Sequence, residues 1–365
     1  MKKVQRIDYF FEFLRVFLGI VLAFAICLII IVLLTGSAGA KDAIYNFAIG
    51  PFMTKRRLGM LLHRFACYLL TGAGMCFVYS SGRFSVISEG IINLAPIFAL
   101  LLMFGTNMLN NLPLIINLVI IITICVVAGG LISFIPAFGR EKLGANETVT
   151  STILNSFCCY IALFILRETV ADKNSLILAS PIYPDNMRFP RYFGNTNATA
   201  GIWVGVIGIV VAIIIFYRTK IGAEIRMCGS NINFAKYSGI NTRRAMYAGQ
   251  ILGGLFAGAA AAVDCFGLYE YYRYGALTNI GMDGLIVAVM ARKKPIFVPI
   301  TAFVLAYIRC AAEVLNANTQ IPIEIVTMLQ AVIIFFVAAE HFLAGSRQKA
   351  IIKASYEAQQ EGGAE

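Results

Sequence analysis

Long apolar runs recur along the chain and are separated by short polar segments rich in Lys and Arg. Because a bilayer core about 30 Å thick needs roughly 20 apolar residues per helix, each long run predicts one membrane-spanning helix. The runs are continuous rather than alternating, which argues against a transmembrane barrel. The pattern predicts ten helices, at residues 14–34, 59–79, 86–104, 114–134, 149–166, 202–217, 246–263, 281–291, 295–313 and 321–341.

Two of these runs need separate treatment. The run at 281–291 is too short to cross a bilayer alone. We expect it to continue from an irregular segment at 264–280 that is buried within the protein, where backbone outside a helix can be satisfied. The first run, 14–34, is too long for the apolar part of a signal peptide, so we expect it to be retained. The sequence therefore predicts an all-α polytopic membrane protein with a single transmembrane domain over residues 1–365.

Composition supports this class. Hydrophobic residues make up 59% of the chain, charged residues 13%, and the mean hydropathy is +0.79. The charged share is about half of that in soluble domains. The net charge of +11 lies in loops beside apolar runs, where Lys and Arg set orientation and meet anionic membrane lipid, so nucleic acid is not an expected partner. The nine cysteines form no CxxC pair, and the two histidines, His63 and His341, are too few for a zinc site.

The distribution of Lys and Arg also predicts the orientation of a multi-pass protein of the cell membrane, with both termini in the cytoplasm. Lys55, Arg56 and Arg57 fall on the outer side, so the 41–57 segment is expected to lie in the membrane interface. The longest outer loop, 167–200, contains three prolines and is either a docking face for an outer partner or a solvated connector. The segments expected in the cytoplasm are 1–13, 80–85, 135–148, 218–245, 292–294 and 342–365.

One of the cytoplasmic segments stands out. The stretch from Arg218 to Tyr247 separates two apolar runs and carries six Lys or Arg residues. Phe234, Tyr237 and Ile240 recur at three-residue spacing, while Lys236 projects to the far side of the same helical wheel. This pattern predicts one short amphipathic helix at the membrane surface. It is either a loop that fixes topology or a surface on which another protein pushes, and its length and internal pattern favour the second interpretation.

Polar residues inside or beside the apolar runs are few. Glu89 and Asp283 lie near predicted helix starts, where the helix dipole favours a carboxylate. Alternatively, they line a polar cavity together with amides such as Asn93 and Asn155, since ionisable groups within a membrane face the bundle interior. The segments Ser88–Ile92 and Met282–Ile286 share an acid-Gly-apolar-Ile core that opens a helix in each half, which is typical of an inverted internal repeat.

Other motifs have structural interpretations. Asn146 or Thr148 is expected to cap the helix that follows, with Glu147 in its first turn. The spacings Gly249-xxx-Gly253 and Gly254-xxx-Gly258 predict close helix packing. The sequence contains no GxSxG, HExxH or Walker A motif, so we expect neither an enzyme nor a chain that drives pumping with its own nucleotide site.

Three segments resemble signature regions of a known family, the membrane permeases of sugar and nucleoside ABC importers (the branched-chain amino acid, ribose and nucleoside permeases). They read GANETVTSTILN at 144–155, GSNINFAKYSGINTRRAMYAGQILGGLFAGAAAA at 229–262 and NIGMDGLIVAVMARKKPIFVPITAFVLA at 279–306. The stretch LTGAG at 70–74 is also similar, and the resemblance spans roughly residues 58–341. The nucleoside branch is the most similar, followed by the simple-sugar permeases.

The resemblance implies a fold of the vitamin B12-permease type (a type II ABC importer), with about ten helices per subunit. It implies a dimer with an identical or related second permease, two cytoplasmic ABC ATPases and an extracellular or periplasmic substrate-binding protein. ATP and Mg would be bound by the ATPase and no cofactor by this chain. The stretch around 229–247 would be the coupling helix. The implied ATPase contacts are Ser230, Asn231, Phe234, Ala235, Lys236, Tyr237, Ser238, Gly239 and Ile240.

The implied function is that of the permease subunit of an ATP-driven nucleoside importer. A simple-sugar importer and an ion-coupled secondary transporter are the alternatives. A nucleoside needs a few polar contacts and aromatic stacking. The candidate pathway residues are Phe84, Glu89, Asn93, Phe98, Asn155 and Asp283.

The chain departs from the family's pattern in two places. Where the family has a Gly-rich FNIGAEGQ, residues 84–92 read FSVISEGII, so this segment leaves the substrate open. Residues 291–295 read ARKKP in place of Gly-Arg-Asn-x-Pro, which adds charge at the cytoplasmic end of the eighth helix.

Overall fold

The computed structural model describes residues 44–105, 112–172, 177–192, 196–318 and 331. Within these ranges the regular structure is helical, and the one β-type pairing is an isolated bridge between Arg191 and Thr199. The helices are α1 (Lys55–Ser80), α2 (Ser88–Gly105), α3 (Leu114–Leu143), α4 (Glu147–Ile165), α5 (Gly201–Arg218), α6 (Lys220–Ser230), α7 (Ile232–Tyr237), α8 (Thr242–Leu268), α9 (Ile280–Met290) and α10 (Val298–Asn318). A π-helical turn, Leu166–Val170, extends α4.

Seven of the helices in the described ranges are long and apolar enough to cross a membrane, namely α1 to α5, α8 and α10. Helix α9 is the short apolar helix that the sequence predicts. The predicted helix at 14–34 and nearly all of that at 321–341 lie outside the described residues.

The observed helix ends differ from the predicted ones by several residues in places, and two of the differences change a predicted loop. Helix α3 does not end at 134 but continues to Leu143, where Gly144 adopts a left-handed conformation (φ 68°) and stops it. Helix α8 continues to Leu268, so the irregular segment is only 269–279. That segment is not buried throughout, because Tyr272 and Tyr274 are buried while residues 275–277 are exposed.

The core lies between α1, α2 and α8. Helix α1 buries 83% of its most apolar segment inside the chain, whereas α3 and α4 bury 33% and α5 buries 28%. Phe77 of α1 stacks on Phe256 of α8 with ring centroids 5.8 Å apart and packs edge-on against Phe216 of α5 at 5.6 Å. Helices α3, α4 and α5 therefore form the periphery, with one face on this core and the other exposed.

Glycines bring α8 into backbone contact with the helices on both of its sides, as the sequence predicts. On one face, a Cβ added at Gly254 would lie 2.2 Å from Ser133 Oγ, and one added at Gly258 would lie 2.1 Å from the Cys125 carbonyl oxygen of α3. On the other face, a Cβ at Gly253 would lie 2.5 Å from a Val78 methyl of α1. At Gly254 and Gly258 no side chain larger than hydrogen fits without displacing α3, and at Gly253 the Val78 side chain would have to move.

The chain divides into two compact units, residues 51–310 and residues 1–50 with 311–365. In the described part of the second unit, Asn318 Nδ2 donates a hydrogen bond to Asn46 Oδ1 at 2.8 Å. A Cβ added at Gly50 would lie 2.6 Å from Val314 Cγ1, so these two segments pack closely. The candidate site residues all belong to the first unit.

Candidate functional site

The basic stretch between α5 and α8 forms two short helices, so the prediction of one amphipathic helix through Ile240 is wrong. Each helix in this region starts at a polar cap. Thr219 Oγ1 accepts a hydrogen bond from Gly222 N at 3.2 Å at the start of α6. Asn231 caps α7 and Asn241 caps α8 in the same way, each at 3.0 Å. One residue separates α5 from α6 and α6 from α7, and four residues separate α7 from α8.

The buried side of α7 is formed by Ala235. Ala235 is fully buried in a cluster with Cys228 and Ala245, and Ile240 packs against that cluster. Ala235 therefore packs inside the protein instead of presenting a surface to a partner. Among the residues that the pattern placed on the apolar face, Phe234 is 60% and Tyr237 91% exposed. We define the α7 surface as the exposed members of the predicted contact set, which are Ser230, Asn231, Phe234, Lys236, Tyr237, Ser238 and Gly239.

The end of α6, directly before the α7 surface, packs against the end of α1. A Cβ added at Gly229 would lie 2.0 Å from the Ser80 carbonyl oxygen and 3.0 Å from Gly82 N. The end of α6 therefore lies backbone against backbone on the turn that follows α1, where Gly82 has φ 74°. This contact leaves no space for a side chain between the end of α6 and the turn after α1.

A cluster of charged residues lies beside this contact. Arg83, in the turn after α1, forms a close ion pair with Glu141 of α3 and lies 4.0 Å from a carboxylate oxygen of Glu147. Arg243 of α8 approaches Glu141 at 3.7 Å, and Gln250 of the same helix donates a hydrogen bond to Glu147. The cluster links α3, α4 and α8 at one end of the bundle. Separately, Asn146 Oδ1 accepts from Thr148 N and Val149 N at 3.1 and 3.4 Å, which confirms the predicted cap of α4.

Glu89 lies at the starts of two helices. It is in the first turn of α2, and its carboxylate accepts hydrogen bonds at the start of α9 from Met282 N at 2.9 Å, Asn279 N at 3.1 Å and Thr278 Oγ1 at 3.3 Å. Asn279 has φ 63°, a conformation that Asn tolerates better than most residues. The side chain is 1% exposed. A buried carboxylate thus satisfies backbone donors of a helix that lies far away in the sequence.

Asn155 fixes α4 to the start of α2. Its Oδ1 accepts from Gly90 N and its Nδ2 donates to the Val86 carbonyl oxygen, both at 2.8 Å. Ser151 Oγ, one turn earlier, accepts from Val86 N at 3.2 Å. Asn93 donates from Nδ2 to the Glu89 carbonyl oxygen at 3.0 Å.

Asp283 connects three helices. Its Oδ2 accepts from the Tyr68 hydroxyl of α1 and its Oδ1 from Arg309 of α10, both at 2.5 Å. The starts of α2 and α9 meet closely, because a Cβ at Gly281 would lie 2.7 Å from Glu89 N. The structure thus brings Glu89, Asn93, Asn155 and Asp283 to one buried polar junction, where they bond within the chain. As contacts for a solute they remain a prediction.

The two aromatic candidates are placed differently. Phe84 is half-exposed and stacks on Tyr79 with centroids 5.4 Å apart. Phe98 is exposed to a similar degree on α2, nine residues beyond Glu89. Phe98 is therefore about 14 Å along the helix from the polar junction, and the two rings do not form one platform with it.

A comparison with protein families identifies the family of this chain. Residues 57–338 match the family described as the branched-chain amino acid transport system permease component. The chain belongs to this permease family. The match contains all the described spanning helices apart from the first two residues of α1, as well as the α7 surface and the polar junction.

The permease is similar to several characterised relatives. It is 26% identical to the nucleoside ABC transporter permease protein NupB of Lactococcus lactis, over 86% of this chain and 88% of that protein. It is 25% identical to the guanosine ABC transporter permease protein NupP of Bacillus subtilis, over 86% and 89%. The glucose ABC transporter permease protein TsgB13 of Haloferax volcanii is 22% identical over 75% and 74%. Among solved structures, PsaBC from Streptococcus pneumoniae in complex with Fab has a TM-score of 0.50 at 14% identity, covering 85% of this chain and 99% of that one.

Sequence reasoning missed a buried cluster in the permease. His63 Nε2 of α1 lies 3.0 Å from Asp264 Oδ1 of α8 and 3.7 Å from Cys67 Sγ, and the Tyr274 hydroxyl donates to Asp264. The histidine, cysteine and aspartate ligand atoms lie within 4.8 Å of one another. The cluster joins α1, α8 and the 269–279 segment through hydrogen bonds. His63 and Cys67 lie about 200 residues before Asp264 and Tyr274, so spacing along the chain does not show that the two pairs meet.

The predicted outer loop is held to the 266–272 region by backbone hydrogen bonds. Ser180 N donates to the Tyr272 carbonyl oxygen at 3.1 Å and Tyr183 N to that of Glu270 at 2.9 Å. The Glu270 carboxylate pairs with Arg188 at 3.1 Å and Arg191 at 3.4 Å. The hydrogen bond from Arg188 lowers the pKa of Glu270 below its ordinary value. The loop has a defined conformation in its described part.

Proposed function

We propose that this permease forms the membrane pathway of an ATP-driven ABC importer for nucleosides. The observation that carries the proposal is its similarity to nucleoside and guanosine permeases over 86% of the chain. We further propose a vitamin B12-permease type of fold with about ten helices, an inverted repeat built around Ser88–Ile92 and Met282–Ile286, and both termini in the cytoplasm. The proposed assembly contains a second permease, two ATPases and an outer binding protein.

The α7 surface is the proposed docking site for the cytoplasmic ATPase. Phe234 and Tyr237 are large side chains exposed on a short helix, and Lys236 lies between them in the sequence. Interfaces between proteins place aromatic side chains at the points that contribute most to binding. A groove on the ATPase would cover both rings, and Ser230, Asn231, Ser238 and Gly239 would lie around them.

The contact between Gly229 and Ser80 supports a route for coupling. When the ATPase closes around ATP, the push on α7 would reach α1 through this contact. The ion pair of Arg83 with Glu141 lies at the same end of the bundle and would be stretched or re-formed as the turn after α1 moves against α3. The binding energy of ATP would in this way bias two arrangements of the permease pair.

The glucose permease among the relatives supports a simple-sugar importer as the second candidate. Uptake of labelled nucleosides and labelled sugars by cells with and without the gene separates the two. Loss of nucleoside uptake alone is the expected result. Loss of sugar uptake alone would reject the proposed substrate and leave the permease assignment intact. Uptake that survives ATP depletion but stops when the proton gradient collapses would instead support an ion-coupled transporter.

A further inference from the structure

Three spanning helices expose a face that the rest of the described chain does not cover, and these faces differ in chemistry. Helix α5 contains no Ser or Thr, and its exposed face carries large apolar side chains such as Trp203 and Ile207. The exposed face of α3 is also apolar, with Ile115 and Leu131 among its members. Its exposed hydroxyl, Thr123, donates to the carbonyl oxygen of Val119 at 2.7 Å. Faces of this kind suit lipid.

Helix α4 is different. Thr148, Thr152, Ser156 and Tyr160 are all exposed and follow one another at four-residue spacing. Residues four apart lie on neighbouring turns of one helix face, so these side chains form a single inclined row with about 6 Å of helix rise from one to the next. An apolar stripe with Val149, Ile153 and Phe157 runs beside it. Thr152 Oγ1 donates to the Thr148 carbonyl oxygen at 2.8 Å, as Thr123 does to Val119 on α3, so Ser156 and Tyr160 are the residues that distinguish this face. We call these four residues the hydroxyl row.

The depth of the hydroxyl row argues against lipid as its neighbour. Ser156 lies nine residues after the start of α4, or about 14 Å along the axis, which is close to the middle of a hydrocarbon core about 30 Å thick. Tyr160 lies about 6 Å further and is 71% exposed. A tyrosine hydroxyl needs a hydrogen-bond partner when it leaves water, and tyrosines on lipid-facing surfaces concentrate at the membrane interfaces instead.

The opposite face of α4 holds the row in position. Ser151 and Asn155 bond to the backbone at Val86 and Gly90, and a Cβ at Gly90 would lie 3.0 Å from Cys158 Cβ. This packing fixes the rotation of α4 about its own axis. The hydroxyl row is therefore presented on the side away from α2 with little freedom to turn inward.

We propose that the hydroxyl row lines the solute pathway and binds the vicinal hydroxyl groups of a ribose moiety as it passes. The ribose part of this inference rests on the proposed nucleoside function. A hydroxyl group both donates and accepts hydrogen bonds, which matches a sugar hydroxyl in either role. The row contains no charged side chain, so each contact is weak and the solute can move from one to the next, as passage requires.

The first experiment tests the pathway without assuming a substrate. Ser156→Cys is introduced into the complete importer and treated with a membrane-impermeant methanethiosulfonate reagent in vesicles of both orientations. Thr123→Cys on α3 is the matched control, since it also replaces an exposed hydroxyl on a spanning helix. The eight described native cysteines are buried, and the parent protein gives the background. We expect Ser156→Cys to react at least about tenfold faster than Thr123→Cys, since thiolate chemistry requires water.

The second experiment tests the role of the hydroxyl groups. Ser156→Ala and Tyr160→Phe each remove one oxygen with little change in shape, and Thr123→Val is again the control. Loss of one hydrogen bond predicts a reduction of about 3- to 10-fold in nucleoside uptake for each row variant and no change for the control. Vesicles with purified ATPase and binding protein should retain the parent rate of ATP hydrolysis.

The outcomes separate this inference from the proposed function. If the parent importer takes up no nucleoside but Ser156→Cys still reacts much faster than Thr123→Cys, the nucleoside assignment fails and the pathway assignment stands. If nucleoside uptake is normal and the two cysteine variants react equally slowly, α4 faces lipid or protein and the pathway assignment is overturned. Normal uptake by both Ser156→Ala and Tyr160→Phe would overturn the hydroxyl contact.

Discussion

Replacement of Glu89 should destabilise the permease strongly, because its carboxylate serves three donors at the start of α9. Glu89→Ala leaves the backbone N–H groups of Asn279 and Met282, which are only partly exposed to solvent, without this acceptor. Each such group costs about 1–3 kcal/mol, so the expected loss is about 2–6 kcal/mol. This is a large part of the roughly 5–15 kcal/mol that separates folded from unfolded proteins.

Glu89→Gln separates the contribution of the hydrogen-bond acceptor from that of the negative charge. The amide keeps one carbonyl oxygen, which can accept from one of the two N–H groups, but it loses the charge that the positive end of the helix dipole favours. We therefore expect Glu89→Gln to fall between the parent and Glu89→Ala. The thermal midpoint of the detergent-solubilised complete importer, followed by size-exclusion chromatography after heating, measures this order.

The matched control is Glu168→Ala. Glu168 is exposed and lies 4.0 Å from Arg167 in a surface pair, a type of interaction that contributes about 0–1 kcal/mol. Its midpoint should stay with the parent. A Glu89→Ala protein as heat-resistant as the parent would show that α9 does not depend on this side chain, and the capping argument would be wrong.

Three further predictions follow from other contacts. The double variant Phe234→Ala with Tyr237→Ala should reduce the amount of ATPase recovered with the purified permease by about tenfold or more. Aromatic contacts of this kind contribute about 2 kcal/mol or more each to binding. Undiminished recovery would place the ATPase contact elsewhere. Gly254→Ala, whose Cβ would lie 2.2 Å from Ser133 Oγ, should destabilise by about 1–3 kcal/mol, while Gly105→Ala, with nothing within 4 Å, should be near neutral in the same heating assay. Glu270→Gln should lower the free energy of unfolding at pH 7, and this difference from the parent should vanish as the pH falls below 4.5. The reason is that a lowered carboxyl pKa stabilises the folded state only while the group stays ionised. A difference that persists in acid would contradict the ion-pair explanation.

The positions of the spanning helices could be predicted from the sequence, because hydropathy alone determines them. Their ends could not. After residue 134 the chain reads Ile-Pro-Ala-Phe-Gly-Arg-Glu-Lys-Leu, which suggests a loop, but the helix continues until Gly144 ends it. In the basic stretch, Asn231 and Asn241 cap two separate helices, and the periodicity of Phe234, Tyr237 and Ile240 runs past the end of α7 at Tyr237.

The polar junction shows a different limit. The presence of Glu89, Asn155 and Asp283 inside the predicted spans was a correct signal of buried polar contacts. Their hydrogen-bond partners are distant in the sequence. The partner of Asn155 lies 65 residues away, that of Glu89 190 residues away, and Tyr68 lies 215 residues from Asp283. Such pairings depend on which helices become neighbours, and one sequence does not specify that.

The backbone contact between α3 and α8 restricts how the permease can change shape. With Gly254 and Gly258 seated against carbonyl oxygens of α3, these two helices have no intervening layer of side chains that could repack to let one slide along the other. They must therefore move together as one rigid body. Opening and closing of the pathway then depends on the elements joined to these two helices by hydrogen bonds and ion pairs, above all α4 and the short helices α6 and α7.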